Sequence, residues 1–165
     1  MEYAEALENA SEVGDIFELV KRCVHEVLGR SRAGLMLGLS PLGFSPQGFI
    51  GAYHQVGSNL IVMNSSLLGK IGEERPEMLK YYTFHLLLHE YLHSLGILDE
   101  GRARGVTYIV SKEAFGEDHI VTRIAGNFEA YLPNLMFPGD NFRPPETADI
   151  TLIQGFDRDG TSYIG

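Results

Sequence analysis

Residues 81–96 read YYTFHLLLHEYLHSLG, and the chain continues as ILDE to residue 100. The run is apolar almost all round, which is typical of a helix buried on every side. Two histidines and a glutamate lie near its end, and imidazoles and a carboxylate in such surroundings need partners. We therefore predict a buried central helix from about Pro76 to Leu95, with Gly96 closing it in the left-handed conformation.

The spacing of the polar residues in this helix favours a metal site. His89 and His93 are four residues apart, so their imidazoles lie on one helical face and can bind one ion. Glu90 lies about 100 degrees further around the helix, where it can contact a water on that ion rather than act as a ligand. A catalytic zinc needs a third protein ligand, and Gly96 lets the chain turn so that Asp99 can return under the metal.

The motif HEYLHSLGILD resembles the HExxHxxGxxH/D signature of the metzincin zinc metallopeptidases, in the form with Asp as third ligand. It is also similar to the shorter motif of small cytosolic zincin-like proteins. The resemblance implies that His89, His93 and Asp99 bind Zn²⁺ and that Glu90 is the general base. It also implies a zincin-like fold, and we expect the whole chain, residues 1–165, to form one such domain.

Other residues compete with Asp99 for the third ligand position. Glu100 is its direct neighbour, so spacing alone does not choose between the two carboxylates. Other zincins take a ligand from a later helix, and the candidates there are Glu113, Glu117, Glu129 and His119.

Two weaker features agree with the metzincin resemblance. Metzincins have a methionine-bearing turn below the metal, and PNLMFPG places Met136 between two prolines. They also have a strand before the active-site helix that pairs with extended substrate, and NLIVMN at 59–64 is similarly placed. The other histidines of this part of the chain are expected to be structural, in the case of His85, or unrelated to the metal, in the case of His54.

The remaining sequence predicts an α+β fold with a small twisted sheet and a helical, turn-rich C-terminal part. We expect a helix from Val13 to Leu28 with Ser11 as its cap, a strand at 33–39, and a hairpin of 49–56 with 59–64. Residues 65–75 are expected to be a polar connection with one helical turn. Two helices should follow at 103–115 and 118–132, the second capped by Asp118, and residues 148–165 should add a last strand.

Composition limits the classes of partner and compartment. The 165 residues are 44% hydrophobic and carry a formal charge of -9, which is ordinary for a globular protein and makes a nucleic-acid partner unlikely. There is no apolar run of membrane-spanning length and no signal-peptide pattern at the first residues. The single Cys23 has no partner for an intramolecular disulfide. We expect a cytoplasmic protein.

The sequence therefore predicts a zinc-dependent metallopeptidase that hydrolyses peptide bonds in a peptide or protein substrate. One alternative is a metal-dependent endoribonuclease, because small bacterial enzymes of that kind have metal ligands at the spacing of residues 89, 93 and 99. Those enzymes lack a glutamate directly after the first histidine, so Glu90 favours peptide hydrolysis. A zincin fold that binds peptides without cleaving them is a further alternative.

Overall fold

The computed structural model describes residues 2–136 and 149–158, and within them the protein is mixed α+β, as predicted. The helices are α1 (Glu2–Asn9), α2 (Val13–Leu28), α3 (Ser65–Glu74), α4 (Leu79–Ser94), α5 (Glu100–Phe115), α6 (Ile120–Gly126) and α7 (Phe128–Tyr131), with a 3-10 turn at Pro76–Met78. The strands are β1 (Met36–Ser40), β2 (Phe49–Ile50), β3 (Ala52–His54), β4 (Leu60–Asn64), β5 (Leu135–Met136) and β6 (Thr151–Ile153).

The main sheet has the strand order β3-β4-β1-β6. Strand β1 runs parallel to β4 and antiparallel to β6, and β3 with β4 forms the predicted antiparallel hairpin. Strands β2 and β5 form a separate parallel pair. Because β4 has a partner strand on each side, neither of its edges is open, and the prediction that residues 59–64 pair with an extended substrate is wrong.

Helix α4 is the buried centre of the molecule. It packs against α2, α5 and α6 and against β3 and β4 of the sheet. Leu87, Leu88, Tyr91 and Leu92 have no exposed surface, and they cover more than one face of the helix. A helix that is apolar all round is stable only when other elements cover it on all sides, so the prediction of a central helix is confirmed.

The connection at 65–75 is a full helix and not the polar segment that we predicted. The Asn64 side chain accepts a hydrogen bond from the Ser66 N–H and caps α3. Leu67 and Ile71, four residues apart, bury the inner face of the helix. Apolar residues occur only at positions 67, 68 and 71, which is too short a pattern to predict ten helical residues and explains the error. Helix α1 was missed as well.

Two predicted helix caps differ from the structure. The N-cap of α2 is Glu12 and not Ser11, because Glu12 and Asp15 form a reciprocal capping box. The N-cap of α6 is His119 and not Asp118, because the His119 ring accepts the hydrogen bond from the Val121 N–H. In the described residues, no helix combines the length and the apolar composition that a bilayer crossing requires.

Residues 149–158 are anchored to α2 through a buried ion pair. Lys21 Nζ lies 2.7 Å from Asp157 Oδ1, and the other oxygen of Asp157 accepts a hydrogen bond from the Leu35 N–H at 2.9 Å. The contact fixes the segment that carries β6 beside the start of β1. Cys23, on the same helix α2, is fully buried, and burial raises the pKa of its thiol to about 12.

Candidate metal centre

The two histidines of the motif point their Nε2 atoms at one place. They lie one helical turn apart near the end of α4, and their Nε2 atoms are 3.1 Å from each other. His89 has no exposed surface, whereas the His93 side chain is 11% exposed. The predicted pairing of the two imidazoles is therefore present, with His93 on the side that faces solvent.

A carboxylate from the next helix meets both imidazoles, and it belongs to Glu100. Its Oε1 lies 2.6 Å from His93 Nε2, and its Oε2 lies 3.1 Å from His89 Nε2. Glu100 is the first residue of α5, and its side chain is 24% exposed. The chain reaches this position through Gly96, whose φ of 98° is in the left-handed region that glycine adopts readily.

Asp99, the predicted third ligand, has another role in this structure. It is exposed, and its Oδ2 accepts a hydrogen bond from the Arg102 N–H at 2.8 Å, which caps α5. Aspartate is one of the best N-cap residues, and this hydrogen bond stabilises the start of the helix at Glu100. The structure thus brings Glu100, and not Asp99, to the two imidazoles.

The other candidate ligands lie elsewhere. His119 caps α6 and packs its ring on Phe115, with the ring centroids 4.8 Å apart. Glu129 lines an open groove of about 640 Å³ between α5 and α6–α7, together with Gly101 and Tyr108. Glu113 and Glu117 are exposed.

A hydrogen bond orients the ring of His93. Its Nδ1 lies 2.8 Å from the carbonyl oxygen of Ile97, and a carbonyl only accepts, so Nδ1 carries the hydrogen. When Nε2 also donates to Glu100 the ring is protonated on both nitrogens, and loss of the Nε2 proton leaves there the lone pair that can bind a metal. Ile97 directly follows Gly96, so the same turn that delivers Glu100 also fixes the tautomer of His93.

Glu90 is buried beside the imidazoles. Its side chain is only 3% exposed, and His89, Glu90 and His93 each offer a ligand atom within 4.8 Å of the others. Burial raises the pKa of its carboxyl group, and the charges of His89 and His93 oppose that rise. A cation in the site would favour the ionised carboxylate still further.

The charges of the centre stabilise one another. Burial on its own raises the pKa of Glu100, but hydrogen bonds from His89 and His93 outweigh it and lower the pKa to about 2. Burial on its own lowers the pKa of His93, but the hydrogen bond with Glu100 and the charges of Glu90 and Glu100 raise it overall. Glu100 therefore stays ionised at neutral pH.

This donor set fits a zinc ion. Two imidazole nitrogens and one carboxylate are a common catalytic zinc set, and ligands about 2.0–2.1 Å from a tetrahedral ion lie roughly 3.3 Å from each other. The Nε2–Nε2 separation of 3.1 Å and the 3.1 Å from His89 Nε2 to Glu100 Oε2 are close to that value, whereas the 2.6 Å from His93 Nε2 to Glu100 Oε1 is that of a direct hydrogen bond and would have to lengthen to admit an ion. The donors also suit other divalent transition metals, since imidazole binds several of them.

Met136 is not placed as the methionine of a turn below the metal would be. It belongs to β5 and is 56% exposed, and its sulfur lies beside Gly48. A residue below a metal is shielded from solvent, so the described residues do not support a methionine turn under the ligands. The rest of the predicted turn, from residue 137, lies outside the described residues.

Two further histidines lie near the centre. His85 is fully buried one turn before His89, and neither of its ring nitrogens has a hydrogen-bond partner in residues 2–136 and 149–158. His54 lies in β3, and the charge of His93 contributes to lowering its pKa, after burial and Arg32. That His54 is unrelated to the metal stays a prediction; what the structure adds is that β3, which contains His54, packs against α4.

Comparisons with protein-family models, with curated proteins and with solved structures found no match to this chain.

Proposed function

We propose that the protein is a zinc-dependent metallopeptidase with a zincin-like domain, in which His89, His93 and Glu100 hold the metal. One observation supports this most: two imidazole nitrogens and the Glu100 carboxylate converge within 3.1 Å of one another, and they come from two different helices. A surface cluster of acids is common without a metal, but His89 and Glu90 are buried, and buried groups of this kind need compensation.

In this proposal the metal ion, its ligands and the general base have separate roles in peptide hydrolysis. Bound zinc lowers the pKa of a water towards roughly 7 and polarises a carbonyl oxygen. His89 and His93 would be neutral ligands and Glu100 would add one negative charge, so a divalent ion with these three ligands would keep one positive charge beside the ionised Glu90. The exposed side of Glu100 and His93 is the side from which a substrate can reach the site.

Glu90 is proposed as the general base. Because it directly follows His89 on α4, its carboxylate reaches the centre from the side and is not one of the three converging ligands. It accepts the proton of the attacking water and then returns it to the leaving amine. Burial keeps bulk water from this carboxylate, so the proton stays within the site between the two transfers.

The charge of the chain favours a peptide over a nucleic acid as the substrate. A formal charge of -9 repels a phosphate backbone. The endoribonuclease alternative requires a local basic surface to overcome this. The proposed partner is therefore a peptide or protein segment.

The test is an activity assay with matched substrates and a matched variant. Zinc-loaded protein is incubated with a peptide library and, in parallel, with a structured RNA, and products are read by mass spectrometry and gel. We expect peptide cleavage by the wild type and none by the double variant His89→Ala, His93→Ala. Cleavage of RNA alone would replace this proposal with the nuclease, and zinc binding with no cleavage of either would replace it with a peptide-binding module.

A further inference from the structure

Arg32 contacts both the metal-binding helix and the hairpin that contains β3. Its guanidinium donates from Nη1 to the carbonyl of Ser94 at 2.8 Å and from Nη2 to the carbonyl of Ser58 at 3.1 Å. Its backbone N–H also donates to the hydroxyl of Tyr91 at 2.9 Å. Ser94 ends α4 and Ser58 lies in the turn between β3 and β4, so one side chain joins the two elements.

His54 is held by the same carbonyl. Its Nε2 lies 2.7 Å from the Ser58 oxygen, and because a carbonyl only accepts, Nε2 carries the hydrogen and Nδ1 is an acceptor. His54 pairs with Ile61, which belongs to the core that the sheet shares with the helices, so both side chains are on the sheet face that packs on the helices. Helix α4 packs against β3, and the charge of His93 acts on His54, so the hairpin lies beside the part of α4 that contains His93. The hairpin and α4 are called the two walls below.

We propose that Arg32 is a positioning residue for peptide substrate, because it fixes the hairpin with His54 relative to the helix with His93. This inference rests on the proposed peptidase function. A planar guanidinium with donors in a rigid fork fixes two carbonyls relative to each other, which an ammonium group does not do. A peptide at the metal centre contacts both walls, and a small error in their spacing misaligns the scissile bond and costs affinity and rate.

Arg30 provides a matched control. It also donates to a carbonyl at the end of α4, that of Leu95, but within the described residues it has no hydrogen bond to the hairpin. Arg30→Gln therefore removes a hydrogen bond at the helix end and leaves the hairpin contact intact. Any effect that is specific to Arg32→Gln comes from the link between the two walls.

The first measurement is peptide affinity in zinc-loaded protein with the Glu90→Gln change, which prevents turnover. The probe is a peptide that the wild type cleaves. We expect Arg32→Gln to weaken peptide binding at least about tenfold relative to Arg30→Gln, as for the loss of one charge-assisted hydrogen bond. Zinc affinity should be the same in the two variants. With Glu90 restored, KM should rise more than kcat falls, and Arg32→Lys should lie between wild type and Arg32→Gln.

The second measurement is amide hydrogen exchange in metal-free protein, which needs no activity. We expect faster exchange at residues 54–60 in Arg32→Gln and unchanged exchange there in Arg30→Gln. Three results would each overturn the inference. They are equal peptide affinity in the two arginine variants, a loss of peptide affinity matched by a loss of zinc affinity, and unchanged hydrogen exchange in the hairpin of Arg32→Gln. If the wild type neither cuts nor binds peptide, the proposed function and this inference both fail. The wild type alone shows that outcome, so it is distinguishable from a failure of the inference by itself.

Discussion

The imidazole of His93 lies 2.6 Å from the carboxylate of Glu100, and this contact joins the last turn of one helix to the first turn of the next. Only six residues separate the two, and Gly96 makes the reversal between them possible. The same reversal places the Ile97 carbonyl on the other nitrogen of the His93 ring. One short turn therefore determines the position, the tautomer and the charge balance of the proposed ligands.

The first prediction concerns the choice of the third ligand. Glu100→Gln should weaken zinc binding by more than the roughly 10- to 100-fold that changes outside the first coordination shell cause. Asp99→Asn should bind zinc as the wild type does, because asparagine caps a helix as well as aspartate does. Competition with a chromogenic chelator measures both. Normal zinc affinity in Glu100→Gln, combined with a loss in Asp99→Asn, would restore Asp99 as the ligand.

The second prediction separates the base from the ligands. Glu90→Gln keeps the size of the side chain but cannot accept a proton. It should retain one zinc per chain and lose peptide hydrolysis by about 10² to 10⁴-fold, the usual contribution of a general base. Elemental analysis gives the zinc content, and cleavage of a quenched fluorescent peptide gives the rate. Full hydrolysis by this variant would remove Glu90 from the mechanism.

The third prediction tests the turn at Gly96. An added Cβ there meets no close atom, but a φ of 98° is strained for any L-residue, so Gly96→Ala should lower the free energy of unfolding by about 1 kcal/mol or more. It should also weaken zinc binding, although it removes no ligand. Gly69→Ala is the control, because Gly69 is helical, exposed and open to a Cβ, and alanine should stabilise α3. Chemical denaturation compares the two, and equal effects would argue against strain.

The fourth prediction is a pH dependence that His85 causes. Burial, and then the charge of His89, lower the pKa of His85 to about 3 in the folded protein, whereas an unfolded histidine titrates near 6.5. The unfolded chain therefore binds a proton that the folded protein does not, and stability falls as the pH drops from about 6.5 towards 3. In metal-free protein, His85→Leu should lose less stability between pH 7 and pH 5 than the wild type does.

Urea denaturation at the two pH values measures this difference. His25→Gln is the control, because His25 is exposed and its removal leaves the buried rings in place. Parallel losses of stability in the wild type and in His85→Leu would contradict the assignment. The protein is kept metal-free because ligand protonation makes zinc binding itself depend on pH.

The central helix and the positions of His89, Glu90 and His93 could be predicted from the sequence, because helical periodicity fixes which side chains share a face. The hairpin, the helix at 13–28 and the left-handed Gly96 follow from equally local rules. Which carboxylate meets the two imidazoles could not be predicted, because Asp99 and Glu100 are adjacent and the outcome depends on which of them caps α5. An aspartate can cap a helix or bind a metal, and which of the two it does depends on the backbone conformation around it, which the sequence does not specify.

Contacts between segments that are far apart in the sequence could not be predicted either. Nothing in the residues around Arg32 indicates that its side chain reaches both Ser58 and Ser94. The placement of β4 between two strands follows from the parallel pairing with β1, which has no local signal. Short strands of this kind are specified by their neighbours more than by their own composition.

The pairing of β1 with β6 has a consequence for the order of folding. It joins residues 37–39 to residues 151–153, so the chain between them must close into a very long loop before these strands meet. The reversal that brings His93 to Glu100 closes within one short stretch and has a far smaller entropic cost. The turn that brings His93 to Glu100 can therefore form early, as a local event, whereas the pairing of β1 with β6 has to await closure of the long loop, which also brings Asp157 to Lys21.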